Sequence, residues 1–115
     1  MLKKVSFSFN GKKASVLAKK CVGINRSVGL MFKRREKARA LLFEFKRPTN
    51  LRISSLFVFF PFIVVWLDRK NRVLEIRKVK PFIISVMARK PYKKFLEIPL
   101  NSKYEKQAEI FFSRR

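Results

Sequence analysis

Leu56-Phe57-Val58-Phe59-Phe60-Pro61-Phe62-Ile63-Val64-Val65-Trp66-Leu67 carries no polar side chain other than the Trp66 indole N–H, and its reading decides the fold. Twelve residues fall short of the 18 or more that a membrane-spanning helix needs. Phe, Val and Ile dominate and Pro61 sits in the middle, which favours extended chain over helix. The run therefore reads as a fully buried strand pair, broken or bulged at Pro61. Insertion of 56–67 into a membrane as a hairpin or anchor is the rival reading, and the length weighs against it.

Working outward, Asp68 to Asn71 makes a charged turn, and Val73, Leu74, Ile76 and Val79 form a strand candidate. Pro81 opens the apolar stretch Phe82 to Met87. Pro91 and Tyr92 reopen the chain, and Phe95, Leu96, Ile98 and Leu100 make a last strand near Pro99. Residues 102–115 form a basic tail or a short helix with Tyr104, Ala108, Phe111 and Phe112 on one side. Toward the N-terminus, Lys46 to Asn50 carries a turn signal and Ala40 to Phe45 a short strand. Ile24, Val28, Met31 and Phe32 recur at helical spacing, predicting one short helix that begins near Asn25 or Ser27. Val5, Phe7 and Phe9 alternate with serines, Asn10-Gly11 follows, and Ala14, Val16 and Ala18 alternate again, which predicts a β-hairpin. The sum is an α+β class protein, mostly β. It is a small barrel or sandwich of antiparallel strands with one early short helix and a C-terminal helix, in a single domain over 1–115.

The chain has 29 Lys and Arg, 7 Asp and Glu and no His, for a net charge of +22. Nearly half of it is apolar and 13 residues are Phe, so this is not the composition of a disordered basic tail. Without histidine, and with Cys21 as the one cysteine, the usual ligands of a zinc, copper or iron site are missing, and no cofactor is expected. A lone cysteine makes no internal disulfide, and Met1 to Phe9 has no apolar signal region. Both point to a cytoplasmic protein.

No catalytic constellation stands out. Asp68 reads as a turn cap. Glu44, Glu75 and Glu97 read as cross-strand partners of Lys or Arg, and Ser54-Ser55 has no histidine to activate it. Gly23 and Gly29 do not have phosphate-loop spacing. The basic residues cluster instead: Lys12-Lys13, Lys19-Lys20, Lys33-Arg34-Arg35 with Lys37 and Arg39, Lys46-Arg47, Arg69-Lys70 with Arg72, and Arg89-Lys90 with Lys93-Lys94. A surface built for solubility carries a net charge of about 2 to 8 in a small domain, and this chain exceeds that several-fold. Such an excess calls for a polyanion, and charge spread over strand-flanking turns suits phosphate contact better than base readout. Tyr92, beside Lys93-Lys94, is the candidate for base stacking, against a plainer reading as a rim aromatic covering the core.

Val28-Gly29-Leu30-Met31-Phe32-Lys33, Leu42-Phe43-Glu44-Phe45, Phe59 to Asp68, Pro81 and Leu96-Glu97-Ile98-Pro99 follow one another in an order that resembles domain of unknown function family 192. This is a family of small archaeal and bacterial domains, and the resemblance covers about 14–100. It implies a compact β-rich fold with one short helix and implies no activity. The chain departs from the family where Ile63 replaces an acidic residue, and where a His-x-x-x-Met approach appears as Ser54 or Ser55 and Val58. Any polar pocket built there is expected to be lost.

The expected function is that of a non-enzymatic RNA-binding protein, ribosomal or ribosome-associated. It would contact ribosomal RNA and neighbouring ribosomal proteins through the basic residues named above and Tyr92, with no small-molecule substrate. The rivals are a peripheral membrane protein inserting 56–67 and a small-ligand-binding module with an apolar pocket lined by residues such as Val58, Phe60 and Ile63.

Overall fold

The computed structural model describes residues 2–9, 11–21, 30, 33–53, 55, 57–83 and 85–112. Its strands are β1 (Leu2–Phe9), β2 (Lys12–Cys21), β3 (Leu41–Thr49), β4 (Phe62–Leu67), β5 (Val73–Val79) and β6 (Tyr92–Pro99), and α1 (Glu105–Phe112) closes the chain. Among the described residues they form one six-stranded sheet in the order β1-β2-β3-β6-β4-β5.

All six residues of β4 are buried. The strand lies between β6 and β5, with Phe62 opposite both Pro99 and Val79. Phe62, Val64 and Trp66 enter one apolar cluster, with Phe43, Phe60, Tyr92 and Phe95. Ile63, Val65 and Leu67 enter the other, with Val5, Val16, Leu42, Leu96 and Ile98. A strand covered on both faces has no side left for polar residues, which is why the run shows no alternation. The expected strand pair is corrected to a single strand. Pro61 ends a loop and β4 begins at Phe62, so the missing N–H of Pro61 interrupts no ladder. The loop before β4 pairs with the loop after β5 through an isolated antiparallel bridge, Ile53 to Val86.

The N-terminal hairpin forms as its alternation predicts. Phe9 lies opposite Lys12 across a two-residue connection, and Gly11 has φ 78. β3 runs on through Thr49 with an irregularity after Glu44, where a turn was expected. The sheet is not wholly antiparallel: β2 and β3 pair in parallel, Lys19 opposite Leu41, with the chain from 22 to 40 as the long connection that parallel strands need. The predicted early helix falls mostly on 22–29 and 31–32, outside the described residues, and within them this stretch holds only a 3-10 turn, Arg35–Lys37. Among the described residues the sheet neither closes into a barrel nor packs on a second sheet as a sandwich. One open sheet curls into a half-barrel, and because all six strands contribute to the second cluster, that cluster is the inside of the curl.

The C-terminal helix forms as expected, and Asn101 fixes its approach. Its Nδ2 donates to the carbonyls of Arg35 and Ala38 at 2.7 and 3.0 Å, and its Oδ1 accepts from the Lys103 N–H. Tyr104 Oη accepts from the Ala40 N–H at 2.7 Å, and Ala108 packs against the inner cluster. No helix among the described residues is long and apolar enough to cross a membrane.

Candidate nucleic-acid interface

Because β6 lies between β3 and β4, three chain segments distant in sequence end side by side: Thr49 of β3 is opposite Tyr92, and Leu67 of β4 is opposite Lys94. The turns leaving those strands enclose a cleft of about 550 Å³, lined by Lys46, Arg47, Pro48, Asp68, Arg69, Lys70, Arg72, Pro91, Tyr92 and Lys93. Three of the basic clusters read from the sequence thus converge, giving six cations to one carboxylate among the described lining residues.

That carboxylate is engaged locally. Asp68 Oδ1 accepts from the Lys70 and Arg72 backbone N–H groups at 2.8 and 2.9 Å, and Oδ2 accepts from Arg72 Nε at 2.7 Å. This is the turn-capping role expected of it. Burial would raise the Asp68 pKa, but the hydrogen bonds from Arg72 and Lys70 outweigh it and hold the carboxyl below its ordinary value. The turn closes through Asn71 at φ 62, whose Oδ1 accepts from Lys94 Nζ at 2.8 Å. Arg69 and Lys70 are left exposed.

A second cleft, of about 490 Å³, adjoins the first and shares Lys70 and Arg72 with it. Its other wall is the β1–β2 hairpin, with Ser6, Ser8, Lys13 and Ser15. The curl of the sheet brings this edge up to the β4–β5 turn. The outward serines of an alternating hairpin were the available signal for this wall.

Tyr92 has the plainer of its two readings. It is 1% exposed, its hydroxyl donates to the Leu51 carbonyl at 2.7 Å, and its ring packs among Phe45, Trp66 and Phe95. Burial pushes its phenol up to about 12. It floors the cleft but offers no open face for stacking, which corrects the stacking expectation.

The remaining predicted residues lie elsewhere. Lys20 and Lys94, with Lys3, surround Glu44 at 3.0, 3.7 and 3.3 Å. Burial pushes the Glu44 carboxyl up, but Lys20 and Lys3 more than reverse this and hold it below its ordinary value. Lys33, Arg34, Arg35, Lys37 and Arg39 surround the 3-10 turn, where Arg35 Nε donates to the Leu100 carbonyl at 2.7 Å. Arg89 and Lys90 lie beside Glu75, which accepts the Arg89 N–H at 2.9 Å and pairs with Arg77 on its own strand, not across strands. Lys12 and Lys19 are exposed on β2.

Glu97 departs from its expected pairing with a cation. It is 6% exposed on β6 between Leu41 and Val64, and burial pushes its carboxyl up to about 8. Ile63 is fully buried inside the curl, while Val58 and Phe60 belong to the opposite cluster, so these three line no common pocket. Ser55 is fully buried as well.

A family model described as an uncharacterised ACR, domain of unknown function family 192, matches residues 17–108. No curated protein matches the chain. Two solved structures share the fold, each with a TM-score of 0.75. A protein of unknown function from Novosphingobium aromaticivorans is 15% identical, the match covering 93% of this chain and 79% of that one. A candidate transcription regulator from Sinorhizobium meliloti is 17% identical, over 93% and 85%. At such identities the likeness extends to the fold alone. The family match takes in five of the six strands in whole or in part, including the turns that form the cleft, and by it the chain belongs to domain of unknown function family 192.

Proposed function

We propose that this chain is a non-enzymatic RNA-binding protein that holds phosphates in the cleft between the β4–β5 turn and the adjoining ends of β3 and β6. The observation that carries the reading is the convergence of Lys46, Arg47, Arg69, Lys70, Arg72 and Lys93 on one cleft whose single aspartate is occupied by its own turn. Six cations with one satisfied carboxylate repel one another unless an anion enters, and the sharing of Lys70 and Arg72 with the second cleft suits a chain of phosphates over an isolated one. With Tyr92 in the core, contact is to the backbone and not to bases. A ribosomal or ribosome-associated setting, with ribosomal RNA and neighbouring ribosomal proteins as partners in the cytoplasm, suits this balance of charge and core.

The test is RNA affinity as a function of salt for the wild type, for Arg69→Glu/Lys70→Glu and for a charge-matched control, Lys4→Glu/Lys106→Glu. The cleft variant is expected to lose affinity roughly a hundredfold at low salt and to lower the salt slope by about one for each phosphate contact removed. Equal losses in both variants would mean that net charge, and not the cleft, binds RNA. Lysate sedimentation addresses the ribosomal setting: a protein that stays at the top of a low-salt gradient is not a ribosomal component.

A further inference from the structure

At the far end of β5 from the cleft, the loops before β4 and after β5 expose Phe57, Phe59, Phe82, Ile83 and Met87 to solvent, Phe59 and Phe82 at 47% or more like Phe57. These side chains are displayed by a hydrogen-bonded frame. Ser55, itself fully buried, joins the two loops. Its N–H donates to the Ile83 carbonyl, and its carbonyl accepts from the Phe82 N–H, both at 2.8 Å. Its Oγ donates to the Lys80 carbonyl at 2.7 Å and accepts from the Ile83 N–H at 2.8 Å. Ile53 and Val86 exchange two further backbone hydrogen bonds. Within this frame Phe82 is held at φ 64, a conformation that bulky side chains rarely adopt. Its ring stands edge-on to Phe59 at 5.5 Å. Backbone strain that persists only because its surroundings enforce it points to a use for the side chain it positions.

We propose that this aromatic knob docks on an anionic membrane surface, Phe57, Phe59, Phe82, Ile83 and Met87 entering the headgroup–acyl boundary while the flanking cations hold lipid phosphates. Charge complementarity selects the occupant. Segments 49–67 and 76–96 contain no carboxylate, and Arg52, Lys78 and Lys80 are exposed around the knob. Arg52 is held at its edge by donating to Ser85 Oγ at 3.1 Å. A second copy would bring an equally cationic rim against this one, whereas anionic headgroups neutralise it. Apolar side chains on two loop tips suit a soft planar interface, which needs no matching pocket. This is not insertion of 56–67, since β4 stays in the core and only the loop before it takes part. Nor does it rest on RNA binding at the opposite end.

The experiment is flotation of the full chain with vesicles of phosphatidylcholine and phosphatidylglycerol, and with phosphatidylcholine alone, at near-physiological salt. It is combined with fluorescence of a Phe82→Trp variant. Wild type should float with the anionic vesicles, and Phe57→Ser/Phe59→Ser/Phe82→Ser should partition about a hundredfold less. The new indole should shift to the blue on binding, against the unmoved signal of the buried Trp66. Wild type that fails to float overturns the proposal, and so does a triple variant that floats equally well, which would reduce binding to net charge. Should the triple variant fold poorly, the Phe82→Trp spectrum decides. An indole unmoved by vesicles, or shifted by RNA or by an added protein fraction in their place, assigns the knob to another partner.

Discussion

Asn71 and Phe82 are the two non-glycine residues, among those described, held in the left-handed region, at φ 62 and 64, and they sit just beyond opposite ends of β5. At the cleft end the conformation serves the turn. Asn tolerates it readily, and the Asn71 side chain is spent on orienting Lys94. At the knob end the same conformation falls on an exposed Phe, where it costs about 1–2 kcal/mol. One end uses a residue suited to its backbone, and the other forces the backbone to suit a residue. The first pattern is that of a turn made to present cations, the second that of a side chain placed for contact.

The largest effect that would break this contrast comes from removing the frame at the knob. Ser55→Ala leaves the Lys80 carbonyl and the Ile83 N–H without their buried partner. At about 1–3 kcal/mol for each such group, the loss is roughly 3 kcal/mol, or about 10–15 °C in melting temperature. A melt within about 2 °C of wild type would show that Ser55 does not hold the knob. The corresponding change at the cleft is smaller, because the Asp68 turn is wet. Asp68→Ala should cost roughly 1 kcal/mol, or about 5 °C. It should also remove a pH dependence. The folded Asp68 carboxyl lies below its ordinary value of 3.8, so its stabilisation is present above that pH and is lost as pH falls through the lower folded value. An acid melt that stays equally steep in the variant would assign the dependence to another group, such as Glu44.

How much of this could be read in the sequence differs between the ends. β4 and the N-terminal hairpin follow from local pattern, an unbroken apolar run in one and alternation around Asn10-Gly11 in the other. The cleft's cations were legible as residues, but their convergence depends on β6 lying between β3 and β4, a long-range pairing that no local pattern encodes. The parallel contact of β2 with β3 was hidden for the same reason. Glu97 looked like an ordinary strand glutamate, because Leu96-Glu97-Ile98 says nothing of the Leu41 and Val64 that enclose it from both sides. The knob was least legible. Ser55 appears in sequence only as a polar interruption, and the strain at Phe82 follows from four hydrogen bonds made by a residue 27 positions away.

The smallest expected effect is the difference between two glycine substitutions, which should differ in size. Glycine adopts a left-handed φ without strain but loses roughly 0.5–1 kcal/mol more backbone entropy on folding. At Phe82 the relief of about 1–2 kcal/mol offsets both that cost and the roughly 1 kcal/mol of burial lost with a ring that is 57% exposed and edge-on to Phe59. Phe82→Gly is therefore expected to leave the melting temperature within about 2 °C of wild type even as it weakens vesicle binding. At Asn71 there is little strain to relieve, the entropy cost is the same, and the hydrogen bond from Lys94 disappears. Asn71→Gly should accordingly lower the melting temperature by about 2–5 °C. Paired thermal melts decide the matter. A loss at Phe82 as large as that at Asn71, or larger, would mean that Phe82 is no more strained than Asn71, and its side chain would then not be displayed at the cost of stability.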